Sequence, residues 1–156
     1  MSEAFCQNAL YRWAHDAGHR YIAPNVKMFA WEGDLASVSR HGYLVEYEIK
    51  CSRSDFLADK KKLRHRWLLQ GIDKVDLGAL KLKVPSYFYY ALKEGVRYEP
   101  DEIPAYAGVL RIYSPLVFIE KEAPQIHARK ASDQERQWLT NAVVRRYWRE
   151  RLREKK

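Results

Sequence analysis

The 156-residue chain has only two cysteines, Cys6 and Cys51, and it lacks any apolar run near the roughly 18 residues of a membrane span. Two cysteines provide neither a disulfide framework nor a cysteine-based zinc site. The first residues also lack the basic segment followed by an apolar segment that marks a signal peptide. We therefore expect a protein of the reducing cytoplasm that does not associate with a membrane.

The chain also lacks internal repeats, low-complexity segments and histidines at metal-ligand spacing. Apolar residues make up 47% of it and charged residues 31%, which are ordinary values for a globular protein. Its length fits one domain of about 100–200 residues. We expect a single domain over residues 1–156, with a core over about 3–120 and a C-terminal helix over about 132–154.

The net charge of +8 is concentrated at the C-terminus. Residues 129–156 hold ten Lys or Arg against four Asp or Glu, so the rest of the chain is nearly neutral. Such a segment favours a polyanionic partner, and DNA is the partner we expect. The candidate phosphate contacts are Arg145, Arg146, Arg149, Arg151 and Arg153. A merely solubilising helix surface is the alternative.

Hydrophobic periodicity and turn residues predict a mixed α/β domain with helices on both faces of one sheet. Ser2 and Gly18 favour a first helix between them, and Ser132 with Glu135 forms the sequence of a capping box. The predicted helices cover residues 3–17, 55–70 and 132–154. The predicted strands lie within 26–39 and over 43–50, 86–92, 107–113 and 116–120.

Three charged residues, Asp34, Glu48 and Lys50, fall in strands that otherwise read as buried. Residues two apart in a strand point to the same side, so Glu48 and Lys50 should converge on one site. Asp34 lies in the preceding strand of the same predicted hairpin, where an isolated carboxylate would be costly to bury. The pattern therefore indicates a cluster that is either functional or an ordinary salt-bridged strand pair.

The residue types in this cluster suit metal-assisted hydrolysis of a phosphodiester bond. Two carboxylates held together repel unless a cation lies between them, and hard oxygen ligands suit Mg²⁺ or Mn²⁺. We expect Asp34, Glu48 and the backbone carbonyl of Ile49 to be the ligands. Lys50 could orient the attacking water or stabilise charge that develops on the phosphate.

The stretch over residues 33–62, GDLASVSRHGYLVEYEIKCSRSDFLADKKK, resembles the PD-(D/E)XK nuclease superfamily. It is most similar to the branch of MmcB-like DNA-repair proteins and their phage-encoded relatives, and the resemblance extends over about residues 26–130. This resemblance implies a restriction-endonuclease-like fold, with a mixed sheet flanked by helices and a divalent-metal-dependent nuclease site. In it, Asp34 and Glu48 match the metal ligands and Lys50 the catalytic lysine. Gly33 departs from the expected proline, and Glu3 is the one candidate for a glutamate at the start of the first helix.

Three residues of the next predicted helix could support this site. Asp55 and Asp59 could assist Lys50 or the metal, although acidic residues also favour a helix N-terminus for electrostatic reasons. Lys60 could reach the phosphate or extend its ammonium to solvent. Glu46 could be a distant ligand or part of a salt bridge at an outer edge.

The sequence therefore predicts a metal-dependent nuclease that acts on DNA in repair, recombination or phage DNA processing. A DNA-binding module that keeps the fold without the chemistry is the alternative. A scaffold protein is a third hypothesis, and a homodimer is possible in each case.

Overall fold

The computed structural model describes residues 2–29, 31–59, 61–62, 65, 68–69 and 84–154. Within these ranges the bounds of three α-helices, one short 3-10 helix (Pro100–Glu102) and six strands are defined. The α-helices are α1 (Glu3–Asp16), α2 (Arg53–Asp59) and α3 (Asp133–Arg153). The strands are β1 (Arg20–Val26), β2 (Gly33–Val38), β3 (Leu44–Lys50), β4 (Tyr87–Lys93), β5 (Ala107–Tyr113) and β6 (Leu116–Lys121).

The six strands form one sheet in sequence order, from β1 at one edge to β6 at the other. The strand pairs β3–β4 and β4–β5 are parallel, and the other three pairs are antiparallel. The predicted mixed α/β fold is therefore confirmed. In the described part of the chain, no helix is both long and apolar enough to cross a membrane.

Helix α1 covers one face of the sheet. Ser2 caps its start by accepting a hydrogen bond from the backbone N–H of Phe5, and Gly18 follows its end with a φ of +88°. Leu10 of α1 packs in one cluster with Leu35, Tyr47 and other residues of the same parity along β3 to β5. These contacts confirm both predicted ends of the first helix and the predicted core face of β3.

Two helices share the opposite face. Phe56 of α2 packs with Phe88 and neighbouring residues of β4 and β5, whereas Leu139 of α3 packs with Ala36 and neighbouring residues of β1 to β3. Cross-strand pairing joins Ala36 to Glu46 and Glu46 to Phe88, so both clusters lie on one face. The charged residues of β3 therefore lie between the area under α2 and the area under α3.

Several element boundaries differ from the sequence expectations. Strand β1 was not predicted, because Pro24 interrupts it and two of its residues, Tyr21 and Asn25, have positive φ angles. Helix α2 begins at Arg53 and ends at Asp59. Much of the predicted remainder to residue 70, including Leu63 and Trp67, lies outside the described residues. The final helix and its Ser132–Glu135 capping box are confirmed.

Candidate active site

The structure brings Asp34, Glu48 and Lys50 together on one face of the sheet. Leu35 of β2 pairs with Tyr47 of β3, and continuing this antiparallel register by one residue sets Asp34 opposite Glu48. The side chains of directly opposed residues point to the same side. Lys50, two residues after Glu48, shares that side.

The Asp34 carboxylate is anchored to the neighbouring strand, since its Oδ2 accepts a hydrogen bond from the backbone N–H of Ile49 at 2.8 Å. Burial, followed by the negative charge of Glu48, raises the pKa of Asp34 to about 7. Glu3 contributes to the same increase, which brings the start of α1 into the electrostatic environment of the site. The pair of carboxylates is thus a place where added positive charge would be favourable.

Lys50 lies between two carboxylates and is almost fully buried. Its Nζ is 3.0 Å from Oε1 of Glu48 and 2.9 Å from Oδ1 of Asp59. Burial alone would lower the pKa of Lys50, but the charges and hydrogen bonds of Glu48 and Asp59 outweigh burial and raise it. Lys50 is therefore a fixed ammonium group that neutralises Glu48.

A buried hydrogen-bond network holds Asp59 through the carboxylate oxygen that does not contact Lys50. Its side chain is 0% exposed, and its Oδ2 is 2.6 Å from Nε2 of His65 and 3.0 Å from the hydroxyl of Tyr90. The other ring nitrogen of His65 contacts the hydroxyl of Tyr106. Asp59 thus contacts Lys50, the residue that the sequence predicts it to support. His65 and the two tyrosines were not expected there, because nothing in their spacing along the chain relates them.

The other two residues that the sequence predicts to assist the site are Asp55 and Lys60. Asp55 is exposed in the first turn of α2, whereas the buried residues of that helix are Phe56 and Asp59. Lys60 lies outside the described residues. Lys62 takes a place beside the site instead, with its Nζ 3.1 Å from Oδ1 of Asp59 and 3.7 Å from Oε1 of Glu48. Its three-residue spacing from Asp59 was the sequence signal for this contact.

Glu46 lies in the third strand of the sheet and is buried, so an edge location is wrong. Its Oε1 accepts a hydrogen bond from the indole nitrogen of Trp31 at 2.7 Å. A Cβ atom at Gly33 would lie only 2.8 Å from the same Oε1. The glycine before Asp34, where the nuclease pattern has proline, therefore provides the space that the Glu46 side chain fills.

The oxygen atoms of the site suit a hard divalent cation that takes only a few of its ligands from the protein. Among the described residues, no three or more His, Cys, Asp and Glu side chains are grouped so that they could hold a metal ion. The donors expected from the sequence are the two carboxylates of Asp34 and Glu48, with the Ile49 carbonyl as a further expected ligand. Mg²⁺ is commonly held by one or two carboxylates while it keeps several waters.

Four of the five arginines expected to contact nucleic acid line a groove between β1 and α3, whereas Arg151 is not among the residues that line it. The residues that line this groove include Arg145, Arg146, Arg149 and Arg153. Glu32, two residues before Asp34, and Asn25 belong to the same lining. The basic segment therefore shares one surface with β1 and with Glu32, which directly precedes β2.

Comparisons with known proteins bear on the fold of the chain. No protein-family model matches the chain, and no curated protein matches it. Among solved structures, a protein of unknown function from Silicibacter pomeroyi, SPO1766, superposes with a TM-score of 0.64 at 16% sequence identity. The alignment covers 96% of this chain and 88% of that chain. At this level of identity the similarity concerns the fold.

Proposed function

We propose that the protein is a divalent-metal-dependent nuclease of the PD-(D/E)XK type that hydrolyses DNA phosphodiester bonds in the cytoplasm. The observation that carries the proposal is the convergence of Asp34, Glu48 and Lys50 on one sheet face, between the areas covered by α2 and α3. Burying charged groups of this kind costs free energy of folding, because they lose their contacts with water. Their retention on central strands favours a catalytic role over a structural one.

In this proposal each residue of the site has a separate role. Asp34 and Glu48, with the carbonyl of Ile49, hold Mg²⁺ or Mn²⁺, which supplies positive charge to the scissile phosphate and makes nearby water more acidic. Lys50 presents an ammonium group to the phosphate or to the attacking water. Asp59 fixes the position of that ammonium group through the 2.9 Å contact. Repair, recombination or phage DNA processing would be the setting of the reaction.

A cleavage assay with a matched variant tests the proposal. Purified protein is incubated with supercoiled plasmid and with single-stranded DNA in Mn²⁺, Mg²⁺ or EDTA. We expect metal-dependent cleavage that is lost in Glu48→Gln and kept in Glu94→Gln, which changes an exposed glutamate in a turn. Calorimetric titration with Mn²⁺ should show weaker binding to Glu48→Gln. Cleavage by Glu48→Gln at the wild-type rate would contradict the proposal.

A DNA-binding module without nuclease activity is the second candidate, and one observation favours it. Lys50 and Lys62 both contact Glu48, so this carboxylate is already neutralised within the chain. A site of that kind could persist as a structural ion-pair cluster while the arginine groove binds DNA. This candidate predicts salt-sensitive DNA binding without cleavage in any of the metals.

A further inference from the structure

The groove between β1 and α3 has a strongly positive lining. Its volume is about 500 Å³, and five basic residues line it against the two acidic residues Glu32 and Glu150. Glu150 accepts a hydrogen bond from Arg146 at 3.1 Å, which neutralises part of the lining. The basic residues are Lys27, Arg145, Arg146, Arg149 and Arg153. This excess of positive charge in a concave surface favours an anionic polymer.

One end of the groove lies beside the strand that carries Asp34. Pairing of β1 with β2 sets Val26, a lining residue, opposite Gly33, which directly precedes Asp34. The Gln7 amide of α1 donates hydrogen bonds to Oδ1 of Asn25, another lining residue, and to the backbone carbonyl of Asp34, at 3.0 and 2.9 Å. A polymer in the groove would therefore reach the residues around Asp34.

The groove also contains an aromatic side chain suited to stacking. Trp138 lines it and is 48% exposed, and the Arg145 guanidinium lies 5.9 Å from the centre of the Trp138 ring. Nucleotide bases stack on such aromatic and guanidinium surfaces when they are not already stacked in a duplex. A tryptophan in the wall of a basic groove is thus a feature of single-strand binding.

The side of α3 outside the groove carries a mixture of apolar, aromatic and polar side chains. A helix that enters the major groove reads base edges mainly through polar side chains. Outside the groove lining, the exposed side chains of α3 include the apolar or aromatic residues Val143, Val144, Tyr147, Trp148 and Leu152 and the polar residues Gln137, Asn141 and Arg151. Four of the five candidate phosphate contacts, all but Arg151, lie instead along the groove that faces β1.

We infer that this groove binds single-stranded nucleic acid, with a base on Trp138 and phosphates on the arginines, and directs the strand toward Asp34. The inference deepens the proposed function and rests on it for the chemistry at the end of the groove. The binding itself needs no metal and no intact catalytic site. It can therefore be measured separately from cleavage.

The test measures binding of a fluorescently labelled 20-nucleotide single-stranded DNA, without self-complementarity, to the full chain in EDTA. A duplex of the same sequence is the comparison. We expect tighter binding of the single strand, with an affinity that falls as salt increases. Equal or tighter binding of the duplex, or no salt-dependent binding of either DNA, would overturn the inference.

Two matched pairs of variants assign the binding to the groove. Trp138→Ala should weaken single-strand binding about tenfold, whereas Trp148→Ala, at an equally exposed tryptophan outside the groove, should change it less than about twofold. Arg149→Ala should reduce the slope of log affinity against log salt by about 0.7, and Arg151→Ala should leave it unchanged. Equal effects within both pairs would overturn the inference.

The arginine pair also covers the case in which Trp138→Ala perturbs the small pocket that Trp138 lines together with Met28 and Phe29. Circular dichroism and thermal unfolding show whether Trp138→Ala disturbs the fold. If it does, the comparison of Arg149→Ala with Arg151→Ala decides whether the groove binds the strand. Cleavage that depends on Glu48, combined with binding indifferent to the groove variants, would refute this inference while the nuclease proposal stands. Binding that depends on the groove residues, without cleavage, would refute the nuclease proposal while this inference stands.

Discussion

Lys50, the last residue of β3, and Asp59, the last residue of α2, form an ion pair with 2.9 Å between Nζ and Oδ1. The pair fixes the catalytic-lysine candidate to the helix that follows its strand. Asp59 is itself held by His65 and Tyr90, so the lysine is restrained through two successive sets of contacts. Such rigid support for a reactive group is what efficient catalysis requires.

Asp59→Asn should lower kcat for DNA cleavage about 10- to 100-fold with little change in KM. The amide keeps the shape of the side chain but removes the charge that positions Lys50, and small displacements of a reacting group cost rates of this order. Steady-state cleavage in Mn²⁺ measures the effect. The matched control is Asp55→Asn, at an exposed position of the same helix, which should cleave at the wild-type rate. Equal rates for Asp59→Asn and the wild type would show that the ion pair is only structural.

Asp34→Asn should abolish cleavage and yet make the protein more stable at pH 8. The folded protein raises the pKa of Asp34 to about 7, above its ordinary value of 3.8. The unfolded chain therefore loses this proton first as pH rises, so the wild type loses stability between about pH 4 and pH 7. We expect the variant to unfold at a temperature several degrees higher at pH 8, and the difference to shrink toward pH 4.

The measurement is thermal unfolding of both proteins across this pH range in EDTA. The Asp34–Ile49 hydrogen bond survives the substitution, because the amide oxygen of asparagine can accept it. A variant less stable than the wild type at pH 8 would mean that the Asp34 charge contributes to folding rather than opposing it.

His19 should make the protein less stable in acid. Its Nδ1 lies 2.8 Å from the hydroxyl of Ser37, and burial lowers the pKa of His19 to about 4. The unfolded chain binds the proton first as pH falls, so stability decreases between about pH 6.5 and pH 4, by about 2 kcal/mol from this group. Denaturant unfolding of the wild type at pH 7 and pH 4.5 should show this loss.

His19→Gln should remove much of that pH dependence, since its amide does not titrate in this range. The matched control is His15→Gln, because the His15 side chain is 57% exposed. An unchanged pH dependence in His19→Gln would assign the acid sensitivity to other groups.

Gly33→Ala should destabilise the protein by about 1–3 kcal/mol. The added Cβ would lie 2.8 Å from Oε1 of Glu46, so the carboxylate must move and its hydrogen bond from Trp31 must weaken. Urea unfolding measures the loss. In the double variant Gly33→Ala with Glu46→Ala, the alanine at 33 should cost much less, because the group that it displaces is gone. A full cost in the double variant would contradict this account.

The sequence alone was enough to predict most of the elements and the central cluster. Alternation along β3 separates Tyr47 and Ile49 from Glu48 and Lys50, and a period of two in a strand is a strong local signal. The capping box at Ser132 and the glycine at position 18 are likewise local features that need no tertiary context. The sequence does not predict strand β1, because prediction depends on local alternation and the irregular backbone of β1 and Pro24 remove that alternation.

What depended on tertiary structure is the set of partners around these residues. The contacts of Asp59 with His65 and Tyr90, and the alignment of the α3 arginines with β1, join residues far apart in the chain. Local patterns fix which side of an element faces inward, but they do not fix which elements meet. That choice follows from how the sheet is ordered and where each helix packs on it.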